Sequence, residues 1–165
     1  EPARWPEIAP FVDELLTHGE IEVRLNLLDL IAHLRKTTEL AAVHVLLQDP
    51  DDILRERALG IVSAFADPSS KEPLFAAAEA EVDESLRVEQ AEALIELGDE
   101  RGIPLLLGVM EHAAARQARK DAWEHLSAHT HPTLGFHPEL EDAERATEVR
   151  AIAEWLSAQQ SRGPR

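Results

Sequence analysis

The sequence predicts an all-α fold in which helical hairpins follow one another along the chain. Leu and Ala supply most of the apolar bulk, and both residues favour helices. Aromatic residues make up only 4% of the 165 residues, and Tyr is absent. One helical pattern recurs four times with a period of 31 to 32 residues. Turn signals rich in Asp, Pro and Gly separate the copies, so the length fits one domain or one short repeat array.

Each copy of the pattern has an arginine at its fifth position. The four arginines are Arg24, Arg55, Arg87 and Arg119. The residues one before, four after and seven after each arginine are apolar, which places them on one stripe of a helix. An acidic residue, Glu20, Asp51 or Asp83, opens the first three windows, and Ala115 opens the fourth. Asp at such a position accepts from the free N–H groups of the first turn and predicts an N-cap.

A second helix fits between successive arginine helices. These connecting helices are predicted over residues 38–49, 70–82 and 101–113. Pro73 and Pro104 fall near the starts of two of them, where proline is tolerated. Residues 5–18 predict a leading helix of the same kind. We therefore expect antiparallel helix pairs, about nine helices in all, joined by short loops and without a sheet.

A different kind of segment follows the fourth copy. Two prolines and a glycine within residues 130–142 exclude a regular helix there. A final amphipathic helix over residues 141–159 carries Trp155. A repeat array needs such an end because its last repeat has no neighbour to cover its apolar face. We therefore assign residues 1–130 to a repeat array and residues 131–165 to a loop and capping helix of the same domain.

The charge balance excludes several classes of function. Lys and Arg number 16 against 32 Asp and Glu, so the formal charge is −16. Such a surface repels nucleic-acid phosphates and anionic lipids. The excess is greatest in residues 79–100, which hold nine acidic residues and one basic residue. From this charge we expect no nucleic-acid binding. Because no apolar run approaches the ~18 residues of a membrane span, we also expect no membrane insertion.

Cysteine content and the start of the chain bear on the compartment. The chain has no Cys, which excludes disulfides and thiolate metal sites. It begins at Glu1 rather than Met and shows no signal peptide, a start that removal of a leading segment on export produces. We expect an exported chain, periplasmic or extracellular, with a cytoplasmic location as the alternative.

The arginine pattern resembles a known repeat. The order D-x-x-L-R-x-x-A-L, followed by a second amphipathic helix, is similar to bacterial HEAT repeats of the short type found in phycobilisome lyases, over residues 20–129. The resemblance implies an α-α superhelix, a HEAT-repeat solenoid of about four hairpin units with a capping helix. It also implies a hydrogen-bonded ladder between repeats that pairs Asp51 with Arg55 and Asp83 with Arg87. The Gly-Phe loop and the Trp-bearing last helix resemble the ends of many such proteins.

Four of the eight histidines lie close together near the end of the chain: His125, His129, His131 and His137. His125 and His129 are four residues apart on the fourth arginine helix, at positions that are apolar in the other copies. Two such histidines can share a metal with a third from the following loop. The alternative is a structural cap, in which the loop and last helix cover both rings at least partly. We expect the cap and no cofactor, with zinc or haem contact as the alternative.

Glu89, Glu92 and Glu96 recur at helical spacing and form one face of the third arginine helix. They predict either a solvated surface or a docking site for a basic protein. The sequence contains no Gly-rich phosphate loop and no Ser or Cys nucleophile motif. We expect a non-catalytic protein-binding scaffold or an accessory subunit of a larger complex, not an enzyme. The alternatives are a metal- or cofactor-binding protein of this fold and a lyase-type accessory enzyme.

Overall fold

The structure, a computed structural model, describes residues 5–161 apart from the side chain of Gln160. These residues form helices and loops and include no strand, which confirms the all-α class. The chain divides into two compact units between Ala80 and Glu81. None of the helices in this described part has the length and apolar character that crossing a membrane requires.

The first unit contains arginine helices as well as connecting helices. Its α-helices are α1 (Trp5–Ile8), α2 (Val12–Leu16), α3 (Ile21–His33), α4 (Leu40–Leu46), α5 (Asp52–Phe65) and α6 (Lys71–Ala80). The predicted leading helix is broken into α1, the 3-10 turn Ala9–Phe11 and α2. Pro10 causes this break, because it has no N–H to donate and its ring clashes with the carbonyl four residues earlier. A 3-10 turn, Thr37–Glu39, also replaces the start predicted for α4.

The apolar stripes predicted around the arginines face the core of the first unit. Leu28 and Ile31 of α3 and Leu59 and Val62 of α5 are at most 3% exposed. Helix α3 packs beside α5, while α4 contacts α2, α5 and α6. The predicted pairing of arginine helices with connecting helices is therefore present in this unit.

The second unit contains α7 (Glu84–Glu96), α8 (Gly102–His112), α9 (Arg116–Thr130) and α10 (Asp142–Gln160). Helix α8 packs against α7, α9 and α10. Gly102 allows α8 to begin close to α7, because a Cβ there would collide with the carbonyl oxygen of Ala91 and lie 2.7 Å from the Ile95 side chain. With α1 and α2 counted as one broken helix, residues 5–161 hold the nine predicted helices.

The loop of residues 131–141 belongs to the core of the second unit. Phe136 is only 7% exposed, and its ring lies 6.0 Å from that of Trp123 on α9, centroid to centroid. Val149 and Ile152 of α10 are buried in the same cluster. The division predicted at residue 130 therefore falls inside this unit, where the loop and α10 share one core with α7, α8 and α9.

Candidate functional site

Two of the four repeat arginines bind the turns that precede their helices. Arg55 Nη1 donates to the carbonyl oxygens of Asp49 at 2.9 Å and Pro50 at 3.2 Å. Arg119 Nη1 donates to the carbonyls of Ala113 at 2.6 Å and Ala114 at 3.0 Å. These acceptors stand six and five residues before each arginine. A planar guanidinium can satisfy several carbonyls at once, so both arginines fasten an incoming loop to the first turn of a helix.

Asp49 connects two helices of the first unit. Its Oδ2 accepts from Arg24 Nη1 of α3 at 2.6 Å, and its Oδ1 accepts from the backbone N–H of Asp51 at 2.9 Å, just before α5. The side chain of Arg24 is 17% exposed and that of Asp49 is 9% exposed. This is an arginine–carboxylate contact between neighbouring repeats, made by a residue that the sequence pattern did not single out.

The aspartates of the implied ladder cap their own helices. Asp51 Oδ1 accepts from the N–H groups of Ile53 and Leu54, and the Asp83 side chain accepts from the corresponding two N–H groups of α7. Both N-cap predictions are confirmed. Arg87 Nε is buried and has no hydrogen-bond partner among the described residues. The pairing of Asp51 with Arg55 and of Asp83 with Arg87 remains a prediction.

The turn before the fourth arginine helix is held by another helix. Ala115 cannot cap α9 with its side chain. The carboxylate of Glu84, in the first turn of α7, instead accepts from the N–H groups of Ala114 at 2.6 Å and Ala115 at 2.8 Å. A carboxylate at a helix start also interacts favourably with the helix dipole. Glu84 therefore fastens the start of α9 to the start of α7.

The two histidines of α9 have different environments. His125 is half-buried, and its Nδ1 lies 2.5 Å from Oε1 of Glu92 on α7. His129 is exposed, so the prediction that both rings are at least partly buried was wrong for His129. The loop covers the Trp123 side of α9 through Phe136. That side lies about 200° around the helix from His125 and about 240° from His129.

The described structure does not gather three of the four histidines into one group that could hold a metal ion. His131 is exposed and ends α9 with a left-handed φ of 47°. His125 and His137 each bind a separate glutamate. Among residues 5–161, no group of three or more His, Asp or Glu is arranged to hold a metal ion. Metal or haem ligation by His125, His129, His131 and His137 remains a prediction.

His137 fastens the loop to α10. Its backbone N–H donates to Oε2 of Glu148 at 2.8 Å, and its Nδ1 lies 2.8 Å from the other oxygen of that carboxylate. The hydrogen bond to Glu148 raises the pKa of His137, and the negative charges of Glu148 and Glu139 act in the same direction. The protonated ring therefore holds the loop more tightly than the neutral ring.

The acidic stripe of α7 is only partly open to solvent. Glu89 and Glu96 are exposed, whereas Glu92 is half-buried against His125. One predicted docking residue and one predicted metal ligand thus meet in a single contact between α7 and α9.

Arg145 of α10 is a buried arginine that holds the last helix in place, and the sequence analysis did not predict it. It is 5% exposed, and it donates to the carbonyls of Glu111 and Leu140 and to Oδ1 of Asp142 at 2.6 Å. Val149 and Ile152 follow it by four and seven residues, as apolar residues follow the other four arginines. The signal was therefore present, but Arg145 comes only 26 residues after Arg119.

A histidine and a serine also meet in the first unit. His44 Nε2 on α4 lies 2.8 Å from Oγ of Ser70, with Asp67 nearby. Burial lowers the pKa of His44, and the charge of Asp67 opposes that shift. A base beside a hydroxyl is the arrangement of an activated nucleophile. Ser70 is 0% exposed, so its hydroxyl is closed to a substrate, and the contact ties α4 to the turn before α6.

Comparison with known proteins identifies the repeat. A family model of HEAT repeats matches residues 41–127, which is more than half of the chain. The match begins in α4 and ends in α9, so it includes three of the four repeat arginines. No curated protein sequence matches the chain.

Proposed function

Because the chain belongs to the HEAT-repeat family, we propose that it is a non-catalytic scaffold that binds a basic protein through the acidic face of α7. Repeats of stacked helices offer extended surfaces to partners instead of an enclosed pocket. The observation that carries the proposal is the exposed pair Glu89 and Glu96, one on each side of Glu92 along α7. They lie in the segment 79–100, where acidic residues outnumber basic ones nine to one.

The chemistry of this face favours one class of partner. A negative surface attracts a basic protein, raises the association rate and repels nucleic-acid phosphates. The Glu92–His125 pair holds the middle of the stripe against α9, so the helix that presents the carboxylates is packed against a neighbour. We interpret the protein as a scaffold or as an accessory subunit of a larger complex.

The structural roles of the other polar residues support a function without catalysis. Arg55 and Arg119 bind carbonyls, Asp51 and Asp83 cap helices, and the hydroxyl of Ser70 is buried. The closer likeness to short bacterial repeats of the phycobilisome-lyase type rests on the D-x-x-L-R pattern alone, and we keep it as a proposal.

The test begins with the protein that co-purifies with the chain from its native cells, identified by mass spectrometry. Its association rate is then measured against the variant with Glu89, Glu92 and Glu96 all changed to Gln. We expect a fall of about tenfold at low salt, because steering raises association rates by ~10-fold or more. The salt dependence should weaken in parallel.

A matched control changes Glu14, Glu22 and Glu56 to Gln. These three exposed residues lie in the first unit, so the net charge changes equally while α7 is untouched. If the association rate falls equally in both triple variants, the effect comes from net charge alone. If the rate is unchanged in the variant of α7, the stripe is not a docking site.

A further inference from the structure

A groove runs along the seam between α8 and α10. Two cavities, of about 350 and 500 Å³, share Leu107 and Ala153 in their walls. A third, of about 840 Å³, shares Glu111 and Ala146 with the second. Because each cavity shares wall residues with the next, the three lie side by side along this seam. We call this row of cavities the α8–α10 groove.

The chemistry of the groove changes from one end to the other. The end near the start of α8 is largely apolar, with walls that include Ile103, Pro104, Leu107, Val149 and Leu156. The other end carries four carboxylates, from Glu111, Glu139, Glu141 and Asp142. The groove therefore offers apolar contact at one end and negative charge at the other.

The two arginines of the acidic end are already engaged by the protein. Arg145 donates to Asp142 and to two backbone carbonyls. Arg119 donates to three backbone carbonyls, one of them from Pro138 in the loop. The four carboxylates in the walls of this end outnumber its two guanidinium groups, so the end keeps a net negative charge. Glu141 is exposed beside them.

We propose that the α8–α10 groove binds a short segment of a partner protein in which apolar residues are followed by Lys or Arg. The apolar side chains lie between α8 and Ala153, and the basic residue lies over Glu141. Helix α8 has 11 residues, so the groove is about 16 Å long and accepts about five residues of extended chain. A second copy of this chain fits poorly, because its charge of −16 would be brought to a negative site.

The proposal goes beyond the docking face of α7, because it concerns other helices and another kind of contact. The face of α7 is purely acidic, whereas the groove requires an apolar segment with a basic residue at one end. A partner protein can use both, and each can be removed separately by substitution.

The test is selection of random 12-residue peptides displayed on phage against the full chain, with counter-selection on the Ala153→Arg variant. Ala153 lines both apolar cavities, so an arginine there fills the groove. We expect enriched peptides to contain apolar residues followed by Lys or Arg. A synthetic peptide of that sequence should bind Ala153→Arg at least about tenfold more weakly than the wild type, which corresponds to ~1.4 kcal/mol.

A second variant avoids any change in helix packing. Glu139 and Glu141 are exposed, and changing both to Gln should weaken the same peptide about threefold or more, whereas Glu89, Glu92 and Glu96→Gln should leave its affinity unchanged. The proposal is overturned if the selection yields no binder, if the enriched peptides lack basic residues, or if both groove variants bind them as well as the wild type does. Loss of binding in the α7 variant alone would also overturn it while supporting the docking face.

Discussion

Helices α7 and α9 have the same apolar pattern but different polar contacts. In each, the residues four and seven after the arginine face the core or pack against it. Helix α7 is capped by its own Asp83, whereas the two residues before α9 donate their N–H groups to Glu84 of α7. The side chain of His125 on α9 likewise meets Glu92 of α7.

The difference shows which features each copy of the repeat must carry in its own sequence. Apolar columns are needed in every copy because each helix buries one stripe. A hydrogen-bond partner for the turn before a helix can come from a neighbouring helix. The fourth copy has Ala115 where the other copies have an acidic residue, and Glu84 of α7 accepts from the N–H groups of Ala114 and Ala115.

The largest expected effect comes from removing the buried arginine of the last helix. Arg145→Ala leaves the carbonyls of Glu111 and Leu140 without a donor, and each buried acceptor costs about 1–3 kcal/mol. We expect the free energy of unfolding to fall by about 3 kcal/mol, measured by urea denaturation. Arg150→Ala on the exposed side of the same helix is the control, and an equal loss there would contradict the structural role of Arg145.

The second effect concerns the contact between α7 and α8. Gly102→Ala forces a methyl group against Ala91 and Ile95, and overpacking of this kind costs about 1–3 kcal/mol. Gly108→Ala lies in the same helix with open space around it, so it should stabilise the protein by about 0.5–1 kcal/mol. Thermal unfolding of the two variants should therefore shift in opposite directions, and a shift in the same direction would show that Gly102 does not set the spacing.

The third effect sharpens the comparison of α7 with α9 directly. Asp83→Ala removes a cap worth about 1 kcal/mol from α7, and Glu84→Ala removes the acceptor of the two N–H groups just before α9. Amide hydrogen exchange should rise at Ser85 and Leu86 in the first variant and at Ala114 and Ala115 in the second. If Glu84→Ala speeds exchange only within α7, the contact of Glu84 with Ala114 and Ala115 is absent in solution.

The smallest effect is a dependence on pH. Since its pKa is raised in the fold, His137 contributes stability that is fully present below about pH 6.5, the pKa of an unfolded histidine. That contribution is lost as the pH rises through the higher pKa of the folded state. Exchange of the His137 amide, corrected for the intrinsic effect of pH, should rise across that window. Glu148→Gln should remove the change, and a variant that keeps the full pH dependence would contradict it.

The sequence predicts these features unequally, for physical reasons. The apolar columns, the caps at Asp51 and Asp83 and the helical pairs follow from local periodicity and local hydrogen bonding. The side chains of Glu84, Glu92 and Glu148 contact residues 11 to 33 positions away in the sequence. Local periodicity does not predict such contacts. The repeat period did not predict Arg145, because it comes 26 residues after Arg119 and not 31 or 32. The exposure of His129 depends on which side of α9 the loop covers.

The most direct test of the proposed scaffold is amide hydrogen exchange of the full chain, alone and with the protein that co-purifies with it. The proposed docking face predicts slower exchange in residues 84–96 when the partner is bound. It also predicts that this protection weakens as salt rises through about 0.15 M, where the screening length falls to about 8 Å. If residues 84–96 exchange equally fast in the free and the bound chain, the acidic face of α7 is not the docking site.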